Sequence, residues 1–393
     1  MRLTEGEDLD WKEGVDDVKD GKEFAKDVAA MANAAGGVII LGVAEDGSDH
    51  AERLPGLQDS GRHVQSLRGK ASIVRPFIPG LRIYSVPLED QPGLDLIVVE
   101  VPRSAEAPHL VPTSKDSWGF PKRRGTDTDW LGEREFEAAY KARFDRRGDA
   151  EAHLEKINGQ LTGRLVGQSS CWLILASTCS TPASTAVTVP VDVHQIEPSV
   201  QESLSRLPEG NLLRKIFEHS QVIPKTGLRR AIVSTSDPYD GSSSHGHLEL
   251  HLDGSFAGGL QLSHGSGRLS PEAAVSLLVT QEHLETAVRD LVIVAALHAR
   301  RRAASGAFQA RATIWAPAHF QSRSWGVTLT RSEDVDNPEK VNGSITQESF
   351  IPADGEGNLD EMLASQTALD GLTRQLALDL IHQFNVPRLK TLY

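Results

Sequence analysis

Glu23-Phe24-Ala25-Lys26-Asp27-Val28-Ala29-Ala30-Met31-Ala32-Asn33-Ala34-Ala35-Gly36-Gly37-Val38-Ile39-Ile40-Leu41-Gly42-Val43 is the stretch that decides how the first part of this chain folds. Phe24, Val28, Met31 and Ala35 recur at i, i+4, i+7 and i+11, one stripe of a helix, and Gly36-Gly37 predicts its left-handed stop. The run from Val38 to Val43 is apolar throughout, as in a strand buried on both faces, and the polar Glu45-Asp46-Gly47-Ser48 ends it. A helix feeding straight into a buried strand predicts a compact mixed sheet covered by helices.

Working outward, Leu9-Asp10-Trp11-Lys12 reads as a short strand ahead of that helix. Behind it come a helix over 61–75 and strands over 81–86 and 94–101, the second ended by Pro102. A loop rich in Pro and Ser then leads through Trp118-Gly119-Phe120-Pro121-Lys122-Arg123-Arg124-Gly125 to a helix over 132–144. The texture changes after Arg146-Arg147-Gly148-Asp149. Beyond it, strand-like runs at 229–233, 247–252, 311–315 and 325–329 alternate with Ser-, Thr- and Gly-rich stretches. Ser270-Pro271-Glu272 predicts the start of a helical region reaching about residue 302, and a last helix spans 359–384, stopping before Pro387. The expected fold class is α+β, with a domain over 1–148 and a separate α+β domain over 149–393 that senses a ligand or forms an oligomer. A length of 393 residues agrees with two domains.

Composition narrows the function. The longest apolar run, Leu291 to Leu297, is far shorter than the roughly 18 residues of a membrane span. With no secretory signal readable at Met1-Arg2-Leu3-Thr4, a soluble cytoplasmic protein without membrane contact is expected. Cys171 and Cys179 lie at the two ends of one predicted strand, too far apart to bridge. The net charge is −13, and residues 1–150 carry 21 Lys or Arg against 28 Asp or Glu, so bulk attraction to a polyanion is excluded and any phosphate contact must be local. Walker, nucleophile-elbow and zincin signatures are missing from the sequence.

Three constellations could carry chemistry. Glu5, Glu7, Asp8 and Asp10 precede Lys12, and Glu45-Asp46 follows the apolar strand. Carboxylates from different strand ends can hold a hard divalent cation that activates water and shields a phosphodiester, with the lysine as a phosphate contact, or they form a solvated acidic terminus and a polar turn. If three of them converge they repel one another, so removing one would leave the protein as stable or more so. Lys122-Arg123-Arg124 beside Trp118 and Phe120, running on to Thr126, could grip a backbone and stack a base, or form a charged surface turn. His247, Glu249, His251 and Asp253 share one face of an alternating strand, which predicts a solvated polar face rather than a metal site.

Glu5-x-x-x-x-Asp10-Trp11-Lys12, followed by Asp27 through Gly47, resembles the core of the Schlafen family, more narrowly the bacterial Schlafen/AlbA-like DNA-binding domain. Val101-Pro102, Ala107-Pro108-His109-Leu110-Val111 and Arg123-Arg124-Gly125-Thr126-Asp127-Thr128 agree with it in order. The resemblance covers about the first third of the chain. It implies a nucleic-acid-binding domain and, from eukaryotic relatives, a metal-dependent endoribonuclease. In that case RNA is a likelier partner than DNA, and the cofactor is Mg²⁺ or Mn²⁺. By position it implies a catalytic set of Glu5, Asp10, Lys12 and Glu45. The metal ligands implied are Glu5, Asp10 and Glu45, with Glu7 competing for the first place and Asp46 for the last. Asp10 stands where the family usually has Glu, one methylene shorter. Eukaryotic relatives pair two similar lobes and this chain has one, which implies a homodimer formed through the C-terminal half. The alternatives are a non-catalytic DNA-binding regulator and a nucleotide-binding or assembly module.

Overall fold

The computed structural model describes residues 5–15, 18, 20–45, 51–165, 170–183, 202, 204–207, 211–219, 222–235, 245–263, 266–268, 275–317, 326–330, 346–347 and 350–392. Asp46, the Ser270-Pro271-Glu272 helix start and Trp325 lie outside the described residues. The chain divides into two compact units, Met1–Gly148 and Asp149–Tyr393. Both mix helices and sheets, and the fold is α+β.

In the first unit, β1 (Leu9–Lys12) runs parallel to β2 (Gly36–Leu41). Two further strands join them antiparallel, giving the order β1, β2, then Asp95–Pro102, then Arg82–Pro87. Helix α1 (Gly21–Ala32) and helix α2 (Ser60–Ala71) cover one face. Phe24, Val28 and Met31 of α1 pack there with Ile39, Leu41, Leu67, Ile97 and Val99, all fully or almost fully buried. Val38 and Ile40 are only partly buried, so β2 has one dry face and one covered in part, not the two buried faces its run of apolar residues suggested.

The stop of α1 also differs from the expected one. The helix ends at Ala32, Asn33 caps it, and Ala35 is exposed. Gly36 opens the strand instead, at φ +83°, where a Cβ would lie 2.5 Å from the backbone nitrogen of Arg103. Close passage of the 101–103 backbone, as well as the left-handed conformation, therefore requires the glycine.

The Pro- and Ser-rich stretch is not a plain loop. Val111–Pro112 pairs with Trp118–Gly119, and β3 (Pro121–Arg124) forms a hairpin with β4 (Asp127–Trp130). Helix α3 (Glu133–Arg164) begins one residue after the sequence reading placed it and runs 20 residues past the expected end. Gly148 interrupts nothing, because Leu154, Ile157 and Leu161 supply a new buried stripe at i, i+3 and i+7.

The second unit is built on a seven-stranded antiparallel sheet whose central strand is Phe256–Gln261, flanked on one side by the long strand Trp172–Thr181. The long apolar run falls in a core helix, Gln281–Arg301, whose cap is Thr280. The preceding Val275–Thr280, which the sequence placed in a helical region, is a strand, in keeping with its Val-Ser-Leu-Leu-Val-Thr composition. The last predicted helix is two, Leu359–Ala364 and Gln366–His382, broken at Ser365. Cys171 and Cys179 are buried free thiols.

The polar face of the strand Gly246–His251 is not solvated. Glu249 is completely buried, ringed by Arg230 at 3.0 Å, Arg164 at 3.1 Å and His247 at 3.2 Å. Alternation reports which side chains share a face, not whether the other face is covered. Among the described residues, no helix is long and apolar enough to cross a membrane.

Candidate nucleic-acid interface and acidic site

Register fixes the acidic site. Asp10 pairs with Ile39 and Lys12 with Leu41, so strand alternation sends both polar side chains to the face that α1 covers. There Asp10 is buried, and its Oδ1 accepts a hydrogen bond from the guanidinium of Arg123 at 2.9 Å. Its Oδ2 meets Lys12 Nζ at 2.6 Å as an ion pair without hydrogen-bond alignment. Arg123 is itself buried, and also donates to the carbonyl of Gly125.

β1 is an edge strand, and the backbone N–H of Trp11 points away from β2. Glu5 supplies the missing partner, its Oε1 accepting that N–H at 2.6 Å. Burial raises the Glu5 carboxyl above its ordinary value; the Trp11 N–H opposes this, while Asp10 and Glu45 push it further up. Glu45 is exposed, in a two-residue bridge with Ala51 just past Gly42-Val43. For Lys12, burial works against the ammonium, but Asp10, Asp27 and Glu5 outweigh it and its pKa is raised.

A fourth acid belongs to the site and was missed in the sequence. Asp27 projects from α1 toward Lys12, Asp10 and Arg123, and burial lifts its carboxyl to about 6. The signal was present: Asp27 sits at i+3 of the Phe24 stripe, where a core-facing residue belongs.

The structure thus brings Asp10, Lys12 and Glu45 within electrostatic range of Glu5. It also brings in Arg123, which the sequence placed with the surface phosphate contacts. The three acids do not stand alone in mutual repulsion, because Asp10 lies between two cations. Among the described residues, no three Asp, Glu, His or Cys side chains are arranged as a set that could hold a metal ion.

The remaining predicted contact residues lie along the hairpins. Trp118 is 48% exposed, and Arg124 and Thr126 are exposed. Arg124 pairs with Glu135 and lies 3.6 Å from Asp129, so much of its charge is already answered. Phe120 turns inward onto Phe136 and Tyr140, with ring centroids 4.6 and 6.1 Å away.

Trp130, not singled out in the sequence, is 47% exposed and lies against Gly119, where a Cβ would come within 2.7 Å of two ring atoms. Asn33 anchors these hairpins to α1. Its amide donates to the carbonyls of His109 and Pro121 at 2.8 and 2.7 Å and accepts the N–H of His109 at 2.6 Å. His109 is completely buried and neutral, its pKa lowered by burial to about 4. Several residues that carried the family resemblance, Asn33, His109 and Arg123, are therefore the fastenings of the site.

Residues 5–131 match the Schlafen, AlbA_2 family. Among solved structures, the N-terminal domain of an ATP-dependent DNA helicase RecG-related protein from Nitrosomonas europaea is 25% identical, with a TM-score of 0.22; the match covers 31% of this chain and 79% of that one. A Corynebacterium diphtheriae protein is 14% identical, with a TM-score of 0.23, covering 53% of this chain and 32% of that one. No curated protein matches the chain.

Proposed function

We propose that the first unit binds nucleic acid, taking unpaired bases on the exposed indoles of its hairpins. The family match supports a nucleic-acid-related role for this unit. The observation that carries the reading is the pair of half-exposed tryptophans, Trp118 and Trp130, on short strands tied to α1 through Asn33. Large aromatics fixed at a surface offer a π-face at little entropic cost, and each base stacked is worth about 1–3 kcal/mol. Trp130→Ala should then weaken binding of a single-stranded oligonucleotide roughly 5- to 150-fold, and duplex affinity should change less. Equal affinity of parent and variant for the single strand would defeat the proposal.

A metal-dependent endoribonuclease is the second reading. One observation favours it: Asp10 and Glu45, from separate strands, both act electrostatically on Glu5. The side chains as placed do not fit Mg²⁺ or Mn²⁺, since Asp10 faces a cation at each oxygen and Glu5 holds the Trp11 N–H. Cleavage therefore requires Lys12 to give up Asp10 Oδ2. Incubating the protein with transfer RNA in Mn²⁺ or in EDTA decides between the readings. Cleavage in Mn²⁺ alone selects the nuclease, and binding without cleavage in both selects the binding module.

A further inference from the structure

Two of the phosphate contacts expected at Lys122-Arg123-Arg124, Arg123 and Arg124, are weak candidates in this fold. Arg123 is buried against Asp10, Arg124 is paired, and Asp127 and Asp129 are exposed on the same hairpin. A different surface of this unit has the opposite balance.

Two arginines pair with one buried carboxylate, and two more, Arg103 and Arg146, lie close to them. Glu106 Oε2 accepts from Arg143 at 2.7 Å and from Arg147 at 3.1 Å. Arg146 donates to the carbonyl of Ala105 at 2.7 Å, a neutral partner, so its charge is not cancelled there. Burial lowers the Arg146 pKa and Arg103 lowers it further; Glu106 opposes this and Arg143 adds to it, which places Arg103 and Arg143 within repulsive range of Arg146. Arg103 is exposed and Arg147 is 41% exposed at the side chain. Glu106 answers Arg143 and Arg147 in direct contact, while Arg146 donates to a neutral carbonyl and Arg103 is exposed, which leaves a local positive excess on a unit that is acidic as a whole.

The same turns of α3 carry aromatic rings toward solvent. Phe120, Phe136, Tyr140 and Phe144 follow one another with centroid spacings of 4.6, 4.8 and 6.4 Å. The series starts among half-buried rings and ends on Phe144, which is 63% exposed. Phe144 and Arg147 are three residues apart on the helix, hence neighbours on its surface. Like charges held together without enough counter-charge, beside an exposed ring, complement a strand of phosphates bearing unpaired bases.

We infer that Arg103, Arg146 and Arg147, with Phe144, form the phosphate-contacting surface of this unit, and that its ligand is single-stranded nucleic acid. The inference rests on the nucleic-acid reading above and assigns its electrostatic part to a place the sequence did not suggest. Arg143 and Glu106 hold the cluster together; Arg147 shares that carboxylate while keeping 41% of its side chain in water, and Arg103 is exposed beside them.

The test compares the parent chain with Arg103→Gln/Arg147→Gln and with Phe144→Ala, binding labelled single-stranded RNA and single-stranded DNA across a salt series. Thermal midpoints confirm that both variants fold. The double variant should bind at least tenfold more weakly at low salt, and its log–log salt slope should be shallower by about one to two. Phe144→Ala should lose affinity with the slope unchanged. If the parent binds and the double variant keeps both affinity and slope, this surface is not the site and the proposed function stands without it. If the parent binds neither single strand, both fall.

Discussion

Replacing Asp10 by asparagine removes a charge that the fold has placed between two cations. The carboxylate side chain is 5% exposed and that of Arg123 only 3%, at 2.9 Å; Lys12, 2.6 Å away on the other oxygen, keeps 23% of its side chain in water. Lys12 can therefore recover hydration when the acid is lost, and Arg123 cannot. Breaking a buried pair by removing one partner costs about 3–5 kcal/mol, because the other charge stays desolvated. For a domain of this size that corresponds to a drop of roughly 6–20 °C in thermal midpoint. Had the three acids converged alone, the sign would be reversed and the variant would melt at or above the parent. Thermal unfolding of the parent, Asp10→Asn, Arg123→Met and the double variant measures both the loss and the coupling. The double variant should be less destabilised than the two singles summed, by about 0.5–3 kcal/mol. An Asp10→Asn protein as stable as the parent would refute the buried pair.

The other expected outcomes concern pH and backbone. Asp27 titrates near 6 in the folded state against 3.8 as a free carboxyl, so between about pH 4 and 6 the folded chain holds a proton the unfolded chain has released. The stability this residue contributes therefore rises as pH falls through that window, and Asp27→Asn should abolish that gain and stabilise the first unit at pH 7, on the order of 1–3 kcal/mol. In the second unit the sign is opposite. Burial holds His251 and His298 near 4, below the ordinary 6.5, so the unfolded chain binds protons first and stability is lost from about pH 6.5 downward. Denaturant unfolding of that unit at pH 7 and pH 5 checks it, equal midpoints counting against the buried neutral imidazoles. Gly36→Ala should cost more than Gly125→Ala. Both sit at positive φ, but only at Gly36 would the methyl meet backbone, 2.5 Å from Arg103 N.

Much of the first unit was legible because its signals are local. The Phe24 stripe, the apolar run after the double glycine and the four residues of β1 each specify an element without help from elsewhere. What escaped depended on partners distant in sequence. Nothing near Arg123 says that Asp10, 113 residues earlier, will take it out of solvent. Asn33 read as an ordinary residue at a helix end until its amide was seen to bridge His109 and Pro121. Glu249 and its neighbours gave the right alternation and the wrong environment, because the covering side chain of Arg164 comes from the end of α3. The sequence reading ended α3 at Phe144, ahead of the charged run 145–149, and so missed the buried stripe of Leu154, Ile157 and Leu161 that carries the helix to Arg164.

Single-strand binding by the intact chain is the most direct measurement of the central claim. Fluorescence anisotropy with labelled single-stranded RNA, single-stranded DNA and duplex DNA, at low salt in EDTA, removes metal chemistry and leaves recognition alone. The expected result is tighter binding to single strands than to duplex, weakening steeply as salt rises. Absence of binding to either single strand, or a preference for duplex that salt does not weaken, would contradict the account.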